Sequence, residues 1–171
     1  MIKTLKTTAF LLEKIVSFLC VVIIGAMTVT VLLGVLFRYV FLNPLGWSEE
    51  LARYLMIWGA SLAISLGVKN NEHVGLTILS DSIKSRFLIL LMDLIVTILV
   101  FAFLMLMIIY GLPMAMDARY QISLSLPISM AIPTLAVPVS MAVALVQLIL
   151  KFLIDMNEKK IDLSEEKTID I

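Results

Sequence analysis

The sequence predicts an all-α integral membrane protein with four transmembrane helices. Composition, long apolar runs and the distribution of basic residues support this prediction. Hydrophobic residues make up 61% of the chain, charged residues only 15%, and the mean hydropathy is +1.09. Soluble domains average about 45–50% apolar and about 25% charged residues. A chain of 171 residues is too small to bury that apolar excess in its own interior. We therefore expect lipid to surround it.

The predicted spans follow from the length of the apolar runs, because a helix needs about 20 mainly apolar residues to cross a bilayer. We place the spans at about 15–37, 51–68, 87–116 and 124–150. The first run is too long for the apolar region of a cleaved signal peptide, and no small-residue cleavage site follows it, so we interpret it as an uncleaved span. The last run carries three prolines, which remove backbone donors and bend a helix: Pro127, Pro133 and Pro138.

The basic residues are divided unequally between the two ends of the predicted helices. Ten fall in the N-terminal segment, in the connection between the second and third spans, and at the C-terminus: Lys3, Lys6, Lys14, Lys69, Lys84, Arg86, Lys151, Lys159, Lys160 and Lys167. The other end has only Arg38, Arg53 and Arg119. The positive-inside rule therefore predicts that both termini are cytoplasmic. We expect one membrane domain at 1–155, followed by a polar, flexible cytoplasmic tail at 156–171.

The cytoplasmic connection at 74–83 mixes apolar and polar residues, so we expect a short amphipathic helix lying flat at the interface. His73 precedes it and is the only histidine in the chain. A lone histidine could sense pH. A hydrogen bond in a loop or at a helix end explains it more simply, and without a His or Cys cluster it predicts no metal site.

Small residues at four-residue spacing predict close helix packing in three of the spans, because backbones approach each other closely at such positions. The second span has Gly59, Ala63 and Gly67. The first has Ala26, Thr30 and Gly34, and the fourth has Ala136, Ser140 and Ala144. These rows favour a packed bundle over four independent anchors, although small residues are also common in membrane helices without any such contact.

The turn after the first span holds an unusual group of charges. An Asn-Pro pair and a glycine break the chain at 43–46. Ser48 then suits an N-cap, with Glu49 and Glu50 in the first helical turn, where the helix dipole favours negative charge. Glu49 and Arg53 are four residues apart and can pair along the helix surface. A helix start with one local ion pair would explain these residues without any further function.

That explanation leaves Arg38 and a second carboxylate in a short loop near lipid, where charges usually find partners. We predict a polar cluster of Arg38, Glu49, Glu50 and Arg53 that fixes helix geometry or docks another subunit. Two aromatic residues suit the membrane interface: Trp47 and Tyr54.

Asp93 lies about seven residues into the third span, at a depth of roughly 10 Å. An acid at that depth should face protein or water. Coupling to an ion is one interpretation. We favour a structural role, in which Asp93 contacts a polar group of the bundle or a residue of a partner subunit.

Several of these features together resemble a known family. Arg38-Tyr39, the Trp-x-Glu-Glu run that ends at Glu50, Trp58-Gly59 and His73 after a basic residue are similar to the small membrane subunit of tripartite ATP-independent periplasmic (TRAP) transporters. The length and the four predicted spans also fit. One position differs, because that family often has an acid four residues after the histidine and this chain has Thr77.

The resemblance implies a non-catalytic small permease subunit in the bacterial inner membrane. Such a subunit supports a large membrane subunit that carries an organic acid, of the dicarboxylate or sialic acid class, by sodium-coupled symport. A periplasmic binding protein captures the substrate and can dock partly on the small subunit. The alternative is a self-sufficient homodimeric transporter that uses Asp93 as its coupling acid. We expect no enzyme activity, cofactor or nucleic-acid partner, since the sequence lacks a nucleophile with a base, a metal cluster and a phosphate loop.

Overall fold

A computed structural model describes residues 2–69 and 86–169 of the chain. Four long helices dominate this part: α1 (Ile2–Tyr39), α2 (Ser48–Lys69), α3 (Arg86–Asp117) and α4 (Ala131–Ile169). A short 3-10 turn at Ala118–Tyr120 follows α3. The predicted amphipathic helix at 74–83 and His73 lie outside the described residues.

Within the described residues, three segments are long and apolar enough to cross a membrane: Thr4–Tyr39, Leu94–Tyr120 and Ala131–Ile154. The prediction of a helical, multi-pass membrane protein is therefore confirmed, with three of the four predicted spans found among the described helices. The predicted span at 51–68 corresponds to α2, which has 22 residues and carries Glu49 and Glu50 in its first turn. Among the described residues, α2 is not one of the three segments above, so its passage through the membrane stays a prediction.

The helices pack in the spatial order α1, α2, α4, α3, with a smaller contact between α1 and α4. One apolar cluster joins α1, α2 and α4 around Val16, Cys20 and Leu62. A second joins α3 to α4 around Leu104, Met141 and Ala144. We call the end that carries the α1–α2 and α3–α4 connections the loop end, and the opposite end, where α1 begins, the terminal end.

Small residues allow the closest helix contacts. Ala136, Ser140 and Ala144 on α4 are all fully buried. On α3, a Cβ atom added at Gly111 would lie 3.2 Å from the Pro138 ring, so that proline packs directly against the α3 backbone. The row predicted on the last span therefore lies in the protein interior.

The row predicted on α2 has a different environment at each of its positions. Gly59 is buried against Ile23 and Ile24 of α1. Ala63 is exposed, and a Cβ atom added at Gly67 would meet no described atom within 4 Å. Residues four apart advance by about 400° around a helix, so such a row drifts by about 40° at each step and leaves the α1 interface.

Two boundaries differ from the predicted ones. The last helix begins at Ala131 rather than near 124. Residues 121–130 instead form a loop closed by an isolated bridge between Ile122 and Ser129, and Pro127 explains why a helix does not form there. At the other end, α4 continues to Ile169, so the tail predicted to be flexible is helical up to that residue. Its many Glu and Lys residues are good helix formers, and it contains neither Gly nor Pro.

Candidate functional site

The α1–α2 connection is a tight turn that sets the two helices side by side. Backbone bonds run from Val40 N–H to the Leu36 carbonyl at 2.9 Å and from Asn43 N–H to the Phe37 carbonyl at 3.0 Å. Leu42 has a φ of 52°, in the left-handed region that non-glycine residues rarely adopt. The chain thus reverses within a few residues after α1 ends.

Ser48 closes this turn at the start of α2. It was predicted as an N-cap, and its buried hydroxyl donates to the Leu45 carbonyl at 2.8 Å. The α1 backbone passes close to it, because a Cβ atom added at Gly34 would lie 2.8 Å from the Ser48 Oγ. Gly34 therefore brings the α1 backbone against the turn, and this places Arg38, one helical turn later, near the start of α2.

Arg38 forms an ion pair with Glu49 across the α1–α2 junction. The distance from Arg38 Nη2 to Glu49 Oε1 is 2.5 Å, and the two side chains are 54% and 67% exposed. The spacing in the sequence allowed Glu49 to pair with Arg53 on its own helix. In the structure the turn brings α1 close enough for Arg38 to bind the Glu49 carboxylate.

The neighbouring Glu50 holds the α3–α4 loop on α2. Its Oε1 accepts a hydrogen bond from the Tyr54 hydroxyl at 2.5 Å, and its Oε2 accepts one from the Ser125 backbone N–H at 2.8 Å. The Tyr54 hydroxyl also lies 3.2 Å from the Ser123 hydroxyl and 3.1 Å from the Met130 sulfur. We call these five residues the Glu50 network.

Hydrogen bonding within this network keeps Glu50 ionised. Hydrogen bonds from the Ser123 hydroxyl, which contribute most, and from the Tyr54 hydroxyl and Ser125 lower the pKa of Glu50 from its ordinary 4.5 to about 2, against a smaller effect of burial. Donors that point at a carboxylate favour its charged form. At neutral pH the network therefore contains a carboxylate surrounded by donors.

The four charges predicted to form one cluster therefore do not form a single site. Arg38 and Glu49 pair on the α1 side, Glu50 binds the α3–α4 loop, and Arg53 is exposed on α2. Trp47 lies in the turn before α2 and is 37% exposed.

Two further residues that the sequence singled out, Trp58 and Asp93, do not belong to either of these sites. Trp58 connects α2 to the start of α4, because its ring N–H donates to the Ile132 carbonyl at 3.2 Å. Asp93 lies on α3, and its side chain is outside the described part of the structure.

Sequence reasoning missed most of the Glu50 network. Tyr54 was predicted to be an aromatic anchor at the membrane interface, yet it is buried, with 7% exposure. The spacing of Glu50 and Tyr54, four residues apart on one helix face, was an available signal. Ser123, Ser125 and Met130 could not be assigned, because the sequence does not reveal how the α3–α4 loop folds back on α2.

The polar residues in the described part of the chain bind one another rather than forming a metal-ligand cluster. They contain no group of three or more His, Cys, Asp or Glu side chains that could hold a metal ion. A cleft of about 220 Å³ lies between the ends of α1 and α2, next to the Arg38–Glu49 pair. Ligand pockets usually enclose about 300–1,000 Å³. The loop end is therefore better suited to hold helices and present a surface than to enclose a solute.

These features define a small multi-pass helical membrane protein whose polar residues join helices to one another. The family is shown by comparison with known proteins. Residues 27–157 match the model of the DctQ component of tripartite ATP-independent periplasmic transporters. The chain belongs to this family, and its resemblance to the TRAP small subunit is confirmed.

Relatives with known names agree with this assignment. A TRAP transporter small permease protein of Haemophilus influenzae is 34% identical over 79 residues, which cover 46% of this chain and 49% of that protein. The C4-dicarboxylate TRAP transporter small permease protein DctQ of Vibrio cholerae is 30% identical over 74 residues, or 43% of this chain and 32% of that protein.

A third relative has a different length and name. The sialic acid TRAP transporter permease protein SiaT of H. influenzae is 35% identical over 88 residues, which cover 52% of this chain but only 14% of that protein. The chain thus spans less than half of each of these relatives.

Proposed function

We propose that this chain is the non-catalytic small permease subunit of a sodium-driven TRAP transporter for an organic acid. The match of residues 27–157 to the DctQ component carries the proposal. The substrate would be a dicarboxylate or a sialic acid, the classes in the names of the V. cholerae and H. influenzae relatives. The substrate pocket would lie in other chains.

The exposed helices support a scaffold role toward a large membrane subunit. In their most apolar stretches, only 11% of α1 and 6% of α3 is buried within this chain, compared with 28% of α4. The helices at the two ends of the row therefore present broad apolar faces. We propose that the large subunit covers part of these faces and lipid covers the rest, while α2 and α4 hold the row together.

The loop end suits a second contact, with a periplasmic binding protein. The positive-inside rule predicts that this end faces the periplasm of a bacterial inner membrane and that both termini are cytoplasmic. The Arg38–Glu49 pair is exposed there, and exposed charges give an interface its specificity and association rate. We propose that this surface contributes to docking, and that the Glu50 network keeps it in shape.

Asp93 remains a structural candidate in this proposal. We propose that it contacts a polar group of the bundle or of the large subunit, since an acid within a membrane span requires a polar partner. The Asp93→Asn variant should then assemble less completely. A variant that assembled normally but lost sodium coupling would contradict this role.

Reconstitution in liposomes tests the function. The chain alone should give no uptake of labelled dicarboxylate or sialic acid under a sodium gradient. The chain together with a large TRAP subunit and a binding protein should give uptake that stops when the gradient is abolished. Gradient-driven uptake by the chain alone would contradict the subunit role and would support the homodimeric transporter instead.

A further inference from the structure

Within the part of the chain that the structure describes, two buried side chains in the helix row have polar atoms without a hydrogen-bond partner. The Gln147 side chain on α4 is 2% exposed, and neither its amide nitrogen nor its amide oxygen has a partner in the part of the chain that the structure describes. The Ser140 hydroxyl, on a fully buried residue of the same helix, has none either. Burying such groups without partners is destabilising, and buried polar groups in folded proteins are almost always hydrogen-bonded.

Both residues lie on one strip of α4. Ser140 and Gln147 are seven residues apart, which is about two helical turns. Val143, between them, packs in the apolar cluster with α1 and α2, whereas Ala144 packs in the cluster with α3. The strip therefore lies between the α2-facing and α3-facing sides of α4, where the neighbouring helices cover it.

The spacing suits a small bridging molecule. Two turns of helix separate the Cα atoms by about 10.5 Å. The long Gln147 side chain tilts toward the helix N-terminus and so extends along the strip toward Ser140. Water, which bridges polar groups too far apart for a direct hydrogen bond, can span the distance that remains.

We propose that Ser140 and Gln147 form a binding site for ordered water in the apolar interior of this protein. A buried water typically makes about three hydrogen bonds to otherwise unsatisfied groups. The Gln147 amide offers both donors and an acceptor, and the Ser140 hydroxyl offers one donor and acceptor lone pairs. Water bound there would join two turns of α4, and it would make this strip a polar support for the central helix rather than a packing defect.

Solid-state NMR on the full chain in lipid bilayers can test the site, because the sequence contains only two glutamines, Gln121 and Gln147. Labelling glutamine side-chain amides with 15N gives two signals, and the Gln147→Met variant assigns them. Gln121 lies in the exposed α3–α4 loop and serves as the internal control. We expect magnetisation transfer from water to both amides, and Ser140→Ala should weaken the transfer to Gln147 but not to Gln121. Transfer to Gln121 alone would overturn the proposal.

A stability measurement provides an independent test. Methionine has nearly the volume of glutamine but needs no hydrogen bonds. If Gln147 were merely unsatisfied, Gln147→Met would raise the melting temperature, since a buried polar group without partners would be removed. If water joins the amide to Ser140, Gln147→Met should lower the melting temperature, because it leaves the buried Ser140 hydroxyl without that bridge. An unchanged or higher value would contradict the proposal, and the NMR transfer in the unmodified chain does not depend on how the variant folds.

Discussion

Two adjacent carboxylates at the loop end differ sharply in their surroundings. Glu49 binds Arg38 in a pair that is mostly exposed to solvent. Glu50, one residue later, accepts hydrogen bonds from Tyr54 and from the α3–α4 loop, and its pKa falls to about 2. Successive residues on a helix point about 100° apart, so neighbouring side chains reach different helices.

The comparison separates two functions of charge in this protein. An exposed ion pair contributes little to stability, because water already solvates both partners. A carboxylate that receives several donors holds the groups around it in one geometry. We infer that the Glu50 network maintains the structure of the loop end, whereas the Arg38–Glu49 pair is available to a partner.

The largest expected effect is that of Glu50→Ala. It removes the acceptor of the Tyr54 hydroxyl and the Ser125 N–H, so the α3–α4 loop should detach from α2. We expect the decrease in melting temperature in detergent to be at least about three times the decrease caused by Glu49→Ala. Equal effects of the two variants would remove the distinction between the two sites.

A smaller loss of stability is expected for Tyr54→Phe, which keeps the ring but removes the hydroxyl. We expect the free energy of unfolding to fall by about 1–3 kcal/mol, because a buried hydrogen bond to a charged group is lost. The exposed Tyr39 at the same end provides the control, and Tyr39→Phe should leave the stability nearly unchanged. A similar loss for both variants would contradict the claim that the buried hydrogen bond of Tyr54 stabilises the protein more than an exposed tyrosine hydroxyl does.

The pH dependence should distinguish the two carboxylates further. Because the pKa of Glu50 is lowered from 4.5 to about 2 in the folded protein, its contribution is complete above pH 4.5 and is lost as the pH falls toward 2. The difference in melting temperature between the unmodified chain and Glu50→Gln should therefore be constant near neutral pH and shrink below pH 4.5. A difference that stayed constant down to pH 3 would contradict the lowered pKa.

The smallest expected effect belongs to the exposed pair. Arg38→Gln should change the free energy of unfolding by no more than about 1 kcal/mol. That change should diminish in 1 M salt, where the screening length falls to about 3 Å. Chemical denaturation of the variant and of the unmodified chain at low and high salt measures the change in the free energy of unfolding and its dependence on salt. A larger loss that is insensitive to salt would indicate that Arg38 has a structural role inside the protein.

Much of the fold could be predicted because it follows from local properties of the sequence. Apolar runs predicted the helices, and the structure places α1 and α3 over the predicted spans. The fully buried Ala136, Ser140 and Ala144 were also predicted, since small residues repeat on one face. The start of α4 was missed because hydrophobicity alone does not distinguish an apolar loop at 124–130 from a helix.

The site was harder to predict because it depends on contacts between distant segments. Glu50 lies 75 residues from Ser125 in the sequence, and no local pattern indicates that pairing. The Arg38–Glu49 pair crosses a turn whose geometry requires the close approach of Gly34 to Ser48. Residue types indicated that these charges need partners, but the partners were determined by the tertiary fold.

Charge reversal at the two carboxylates tests the central claim most directly. Each variant, Glu50→Lys and Glu49→Lys, is expressed with the large subunit, and the amount of large subunit that copurifies is measured together with organic-acid uptake. We predict that Glu50→Lys loses most assembly and uptake. Glu49→Lys should retain assembly, with uptake reduced only at low concentrations of binding protein. Normal assembly and uptake with Glu50→Lys would contradict the claim that this network shapes the surface presented to the partners.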